Sequence, residues 1–331
     1  MKISVIGAGG WGTAIARLLA NNGHGVVLWA RNPDRAAEIS QARENARYLP
    51  GVRLPDVGLV VTDNLADALN VDVVFLAVPS FAMAATLAQV GDTLASDPPT
   101  LVNLAKGFDR TTQLTMSELI EQRVSGSQVF TLSGPSHAEE VGRDIPTAVV
   151  LAGRDIARGD VLQQEFATPR FRIYVSDDIH GVEVCAAVKN IIALATGISD
   201  GLGYGDNSRG ALITRGLTEM VRFGRAFDVH DATFYGLSGL GDLVATCTSQ
   251  HSRNRHVGFR LGRGETIDDI MKEMEMVAEG VYATNVVHRM AEERAIDMPI
   301  TAAVHRLLRG QTDALSLVDE IMTRAPKREH G

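Results

Sequence analysis

A chain of 331 residues is too long for one small core and predicts two domains. Its 45% apolar and 22% charged content is that of a globular protein. A net charge of −8 argues against a nucleic-acid partner, which needs a dense basic surface, but leaves room for a local basic site that takes a small phosphate. Two cysteines, Cys185 and Cys247, exclude a disulfide framework and suit a reducing cytosol; dispersed histidines without a CxxC pair predict no metal site.

Met1-Lys2 leads straight into a strand, which leaves no room for a signal peptide, and no apolar run of membrane-spanning length is free of charges or turn signals. A cytoplasmic protein without membrane contact is therefore expected. Short β-branched runs predict strands at 3–6, 26–29, 59–61, 73–78, 101–104, 129–132, 148–151 and 172–175. Helical patterns alternate with them, so a parallel sheet with crossover helices is expected. The strands are apolar on both faces, as strands covered on both sides should be. Segment 45–55, rich in Pro, Gly and Arg, is expected to be irregular. After Ser176 the strand signals stop. Asp177 or Asp178 is placed to cap a helix over 180–196, and further helices are expected at 209–226, 267–274, 285–295 and 302–308. The expected fold class is α/β, with a parallel-sheet domain over 1–179 and an all-α domain over 180–331. The tail past Ala325 is expected to fray.

The first strand runs into Gly7-Ala8-Gly9-Gly10-Trp11-Gly12 and then an apolar helical pattern through Leu19. Gly7 permits the tight turn, Gly9 lets the backbone approach a pyrophosphate, and Gly12 lets helix and strand pack closely. The helix N-terminus offers free N–H groups to phosphate. Strand, glycine turn, helix and second strand together make a Rossmann-type dinucleotide site, and a nicotinamide-dependent oxidoreductase is expected. The second strand ends at Trp29-Ala30-Arg31. NAD-selective sites usually place a carboxylate here; Arg31 instead suits a 2′-phosphate, so NADPH is expected to be accepted and preferred. A solvated surface arginine is the alternative.

Strand ends in such a sheet face the ligand crevice. Val78-Pro79-Ser80, Asn103-Leu104-Ala105-Lys106-Gly107 and Ser133-Gly134-Pro135-Ser136-His137-Ala138 all occupy strand ends. Lys106 is either a ligand-facing lysine or an ordinary surface one. Val184 to Leu194 is apolar almost all round, so its helix should be buried. A lysine within it, Lys189, needs partners, and desolvation would bring its ammonium toward the range useful for proton transfer. The alternatives are a lysine that snorkels out or completes an ion pair. Glu183 and Asn190, two turns apart, are placed to serve one site. Ser238-Gly239-Leu240-Gly241-Asp242-Leu243 reads as a ligand loop around one carboxylate. Ser252-Arg253-Asn254 suits a phosphate, or else forms a capping turn before a helix at Val257. Val277-Ala278-Glu279-Gly280 reads as a cofactor contact or a helix-entry turn.

Together these stretches resemble the bacterial NAD(P)-dependent glycerol-3-phosphate dehydrogenases. To them belong also Ala187-Val188-Lys189-Asn190-Ile191-Ile192-Ala193, Ser199-Asp200-Gly201, Ala211-Leu212-Ile213-Thr214-Arg215-Gly216 and Arg255 after Asn254. The matches run in the family's order over nearly the whole chain. The resemblance implies a Rossmann domain, a helical substrate domain, and hydride exchange between NAD(P)H and dihydroxyacetone phosphate. The product is sn-glycerol 3-phosphate for phospholipid synthesis, and the enzyme a homodimer. It further implies Lys189 as proton donor and acceptor, and a substrate set of Lys106, Gly134, Ser136, Lys189, Asp242, Ser252, Arg253 and Asn254. The implied cofactor set is Gly7, Gly9, Gly10, Trp11, Gly12, Arg31, Lys106, Ala138, Arg253, Val277 and Glu279. Gly10 stands where relatives often carry Ser, which removes one hydroxyl from the pyrophosphate site. The rival readings are a β-hydroxyacid or ketopantoate-type dehydrogenase, or a non-enzymatic NADPH-sensing module.

Overall fold

The computed structural model describes residues 1–93, 98–274 and 278–323. The expected tail past Ala325 lies outside them, as does Val277. The chain divides into two compact units, one of Met1–Ala187 with Phe227–Asp242 and one of Val188–Ala226 with Leu243–Gly331.

The first unit carries eight strands: β1 (Lys2–Ile6), β2 (Gly25–Trp29), β3 (Leu59–Thr62), β4 (Val73–Leu76), β5 (Thr100–Asn103), β6 (Val129–Ser133), β7 (Thr147–Gly153) and β8 (Phe171–Ser176). All eight expected strands are present. They form one sheet in the order β3-β2-β1-β4-β5-β6-β7-β8. The order reverses at β1 and β4, the place where doubly wound sheets open a crevice at the strand ends. Ile6 pairs with both Trp29 and Leu76, so β1, β2 and β4 end level.

One step departs from the expected parallel sheet: β7 runs antiparallel to β6. The link between them holds only a four-residue helix, Ala138–Val141, which rises about 6 Å. That is shorter than the helical crossover that normally returns the chain between parallel strands. The chain therefore enters β7 from the end at which it left β6.

Helices cover both faces. They are α1 (Gly10–Asn21), α2 (Pro33–Ala42), α3 (Ser80–Thr93), α4 (Met116–Arg123), α5 (Ala138–Val141) and α6 (Ile156–Phe166). On one face Ile3, Val5, Phe75 and Phe130 pack with Ile15 and Leu19 of α1 and with Leu162 and Phe166 of α6. On the other, Ile6, Val74, Leu76 and Leu101 pack with Met83 and Leu87 of α3 and Met116 and Ile120 of α4. Successive strand residues thus alternate between two cores, which explains why the strands read as continuous apolar runs.

Helix α7 (Ile179–Gly201) begins in the first unit and continues in the second. Asp178 caps it, accepting from Gly181 N at 2.9 Å, as expected of one of the two aspartates. By length and composition α7 could cross a membrane, but its apolar window is wholly buried in the protein. After α8 (Asp206–Gly224), α9 (Asp231–Tyr235) and one π-helical turn (Leu237–Gly241) come α10 (Asp242–Thr248), α11 (Arg253–Gly262), α12 (Ile267–Glu273), α13 (Glu279–Glu293), α14 (Pro299–Leu308) and α15 (Ala314–Met322). Among the described residues, the second unit is entirely helical.

Within that unit α7 and α11 cross at backbone distance. A Cβ on Gly197 would lie 2.1 Å from Arg255 O, and one on Gly258 would lie 2.1 Å from Leu194 O. Gly201 and Gly262 repeat the contact one turn on. Asp200 adds an electrostatic clamp to the same crossing. Its side chain is 6% exposed and pairs with Arg209 at 2.8 Å and Arg255 at 2.7 Å. These contacts fix α11 along the C-terminal turns of α7.

Candidate functional site

In the first unit the glycine turn is built as its residues require. Gly7 has φ +117°, and a Cβ there would meet Ala77 O at 2.7 Å. A Cβ on Gly12 would lie 2.0 Å from Gly7 O. Above Gly9, in contrast, no described atom lies within 4 Å of the Cβ position. No side chain caps α1, and its first turn carries no acidic residue. Free N–H groups beside open space are what a pyrophosphate needs.

Segment 45–55 is irregular, as expected, but it is anchored. Asn45 is fully buried and donates to Ala8 O at 2.9 Å and Thr13 Oγ1 at 2.8 Å, which ties the segment to the glycine turn. Tyr48 O lies 2.7 Å from the Cβ position of Gly10, so a serine there would force the segment outward. Ala138, at the start of α5, lies against Gly10, and Trp11 packs half-buried on the core. Arg31 is exposed beyond β2, with no ion-pair partner among the described residues.

The ends of β5 and β6 bring four expected substrate residues together. Lys106 Nζ donates to Asp242 Oδ2 at 2.8 Å and to Gly134 O at 3.2 Å. Ser136 Oγ donates to the same carbonyl at 2.9 Å. Lys106 is thus no free surface lysine: it is 17% exposed and Asp242 only 3%.

In the second unit, Lys189 is 3% exposed. It does not snorkel; its Nζ donates to Thr246 Oγ1 of α10 at 2.5 Å. Next to it, Asn190 Oδ1 accepts from Asn254 Nδ2 at 2.9 Å, and Asn254 Oδ1 accepts from Gly280 N at 2.9 Å. The amide of Asn254 therefore joins α7, α11 and α13. Ser252 caps α11, accepting from Arg255 N at 3.2 Å, so the helix starts four residues before the expected Val257. Of the three residues Ser252, Arg253 and Asn254, only the guanidinium is exposed. Glu279 opens α13 behind Ala278 and is half-buried.

Glu183 and Asn190 have different partners. Glu183 takes its partners from β5, β6 and α4, whereas Asn190 is held by Asn254. Seven residues along one helix align two side chains, but which elements pack there decides what each one meets.

A family model described as the NAD-dependent glycerol-3-phosphate dehydrogenase N-terminus matches residues 2–158, and one for the C-terminus of the same enzyme matches 178–319. The chain is 46% identical over 334 residues to a glycerol-3-phosphate dehydrogenase (NAD(P)+) of Chlorobium phaeobacteroides (strain BS1), with all of both chains covered.

The chain belongs to the glycerol-3-phosphate dehydrogenase family.

Other matches agree. A Bacillus mycoides (strain KBAB4) member is 45% identical over 332 residues, covering 99% of this chain and 97% of its own. The crystal structure of the Coxiella burnetii glycerol-3-phosphate dehydrogenase superposes with a TM-score of 0.94 at 39% identity, over 98% of this chain and 99% of that one. Full-length kinship sets aside the β-hydroxyacid, ketopantoate and sensor readings.

Two members of the constellation escaped the sequence reading. Thr246 is one of two threonines in a short helix, and only its approach to Lys189 marks it. Asn45 sits in a segment that reads as irregular, and no spacing links it to the glycine turn 37 residues earlier.

Proposed function

We propose that Lys189 supplies the proton when dihydroxyacetone phosphate is reduced to sn-glycerol 3-phosphate, and takes it back in the reverse reaction. The chain is an NAD(P)-dependent oxidoreductase acting on this substrate pair, and its product feeds glycerophospholipid synthesis. The nicotinamide, when bound, supplies or accepts the hydride. Reduction builds negative charge on the substrate's C2 oxygen, and a buried ammonium stabilises that charge and then neutralises it by protonation. The observation that carries the assignment is the buried Lys189 held by Thr246.

Lys106, Gly134, Ser136 and Asp242 orient the substrate in this reading, supported by the bonds of Lys106 to Asp242 and the Gly134 carbonyl and of Ser136 to the same carbonyl. Arg253 takes the phosphate, with Ser252 and Asn254 holding the N-terminus of α11 in place. Gly7, Gly9, Gly10, Trp11 and Gly12 take the pyrophosphate side of the cofactor, joined by Ala138, Lys106, Arg253, Val277 and Glu279. Arg31 meets a 2′-phosphate and favours NADPH, supported by its exposure at the end of β2. The functional division falls at residues 179 and 180. The reading includes a cytoplasmic homodimer, on family likeness.

The test is the loss of NADPH absorbance on adding dihydroxyacetone phosphate, with ketopantoate as control. Turnover with the phosphate alone is expected. Turnover with ketopantoate and none with the phosphate would overturn the proposal.

A further inference from the structure

Glu183 is buried, at 3% exposure, and has no part in the chemistry above. Burying a carboxylate is costly unless donors surround it. Here they do. Its Oε1 accepts from Asn103 Nδ2 at 3.0 Å, Thr131 Oγ1 at 2.7 Å and Ser117 N at 3.0 Å, and its Oε2 accepts from Ser117 Oγ at 2.6 Å. Ser117 N belongs to the first turn of α4, whose N–H groups have no partner within the helix. One side chain of α7 thus joins β5, β6 and α4.

Asn103 passes the constraint on. It is fully buried, and it grips both backbone groups of Ala105: its Oδ1 accepts from Ala105 N at 2.8 Å, and its Nδ2 donates to Ala105 O at 3.2 Å. Ala105 precedes Lys106, whose ammonium reaches Gly134 O and Asp242. The same NH2 also donates to Thr131 Oγ1 at 3.3 Å and to Glu183 Oε1 at 3.0 Å, which holds the amide with its oxygen toward Ala105 N–H. Glu183 is the charged acceptor there.

We infer that Glu183 is a positioning residue for the reduction: through Asn103 it fixes the turn at Ala105 and so aims the Lys106 ammonium. The inference rests on the reading that Lys106 faces the substrate.

A double-mutant cycle tests it, with kcat and the KM for dihydroxyacetone phosphate measured in the wild type, Glu183→Gln, Lys106→Ala and the double variant. Glutamine keeps the size and an oxygen that can accept from Asn103, but it replaces a charged acceptor by a neutral one and so weakens the hold on the amide. Glu183→Gln is expected to raise KM about tenfold with kcat changed less than about twofold, and to have almost no effect once Lys106 is absent. The same effect in both backgrounds, or none in either, would overturn the inference. Amide exchange at Ala105 reads the link without substrate: it should quicken about tenfold or more in Glu183→Gln, and unchanged exchange would contradict the link. A wild type that does not reduce dihydroxyacetone phosphate would sink the proposed function, while the exchange measurement would still decide the link. Should Glu183→Gln fail to fold, Asn103→Ser leaves Ser117 and Thr131 on the carboxylate, breaks the same link, and carries the same expectations.

Discussion

Lys189 Nζ donates a hydrogen bond to Thr246 Oγ1 at 2.5 Å, across 57 residues of sequence, and both residues are buried. The pair places an ammonium at a defined point. Thr246→Val keeps the shape and removes the acceptor. The ammonium then loses this hydrogen bond, and kcat is expected to fall about tenfold, in line with the loss of one hydrogen bond to a charged group. Thr246→Ser should restore most of the rate. If valine and serine act alike, the hydroxyl has no role.

Arg31 is exposed past the end of β2, where a 2′-phosphate would lie. Arg31→Asp should lower kcat/KM for NADPH and raise it for NADH, moving the ratio by about tenfold to a hundredfold, the range of a charge-assisted pair. Steady-state kinetics with each cofactor reads this directly. An unchanged ratio would remove Arg31 from cofactor selection.

Glu219 makes the second unit sensitive to pH. Its carboxyl is buried and accepts from Ile300 N at 2.5 Å and from Thr301 N and Oγ1 at the start of α14. Burial outweighs those bonds and the nearby Arg222, raising its pKa from 4.5 to about 7. The folded state therefore holds this proton more tightly than the unfolded chain does. The stabilisation is complete below pH 4.5 and disappears as pH rises through about 7, a span of about 3 kcal/mol. Glu219→Gln should remove that fall. Urea unfolding at pH 5 and pH 8 checks it: the stability difference between variant and wild type must shift in the variant's favour at pH 8. An identical difference at both pH values would contradict it.

The sheet was legible because its strands are buried on both faces, so Val73 to Leu76 or Thr100 to Val102 read as unbroken β-branched or apolar runs. The reversal at β7 was not, because it depends on the short link over Ala138–Val141 rather than on the strand itself. Helix α13 starts at Glu279, well before the expected 285, because Gly280 looks like a breaker in sequence. In the fold that glycine is needed: a Cβ there would lie 2.7 Å from Asn190 O. Helices α9, α10 and α15 are short and offered too few turns to show a period. Lys106 and Lys189 stood out as lysines in unusual surroundings. Their partners Asp242 and Thr246 are tertiary neighbours, and no sequence spacing encodes those distances.

The account stands on Lys189 as the proton donor, and single-turnover reduction by Lys189→Ala tests this most directly. With NADPH and dihydroxyacetone phosphate both saturating, the rate of NADPH loss should fall about 10²- to 10⁴-fold, while the Kd for NADPH stays within about twofold. A single-turnover rate equal to that of the wild type would contradict the account.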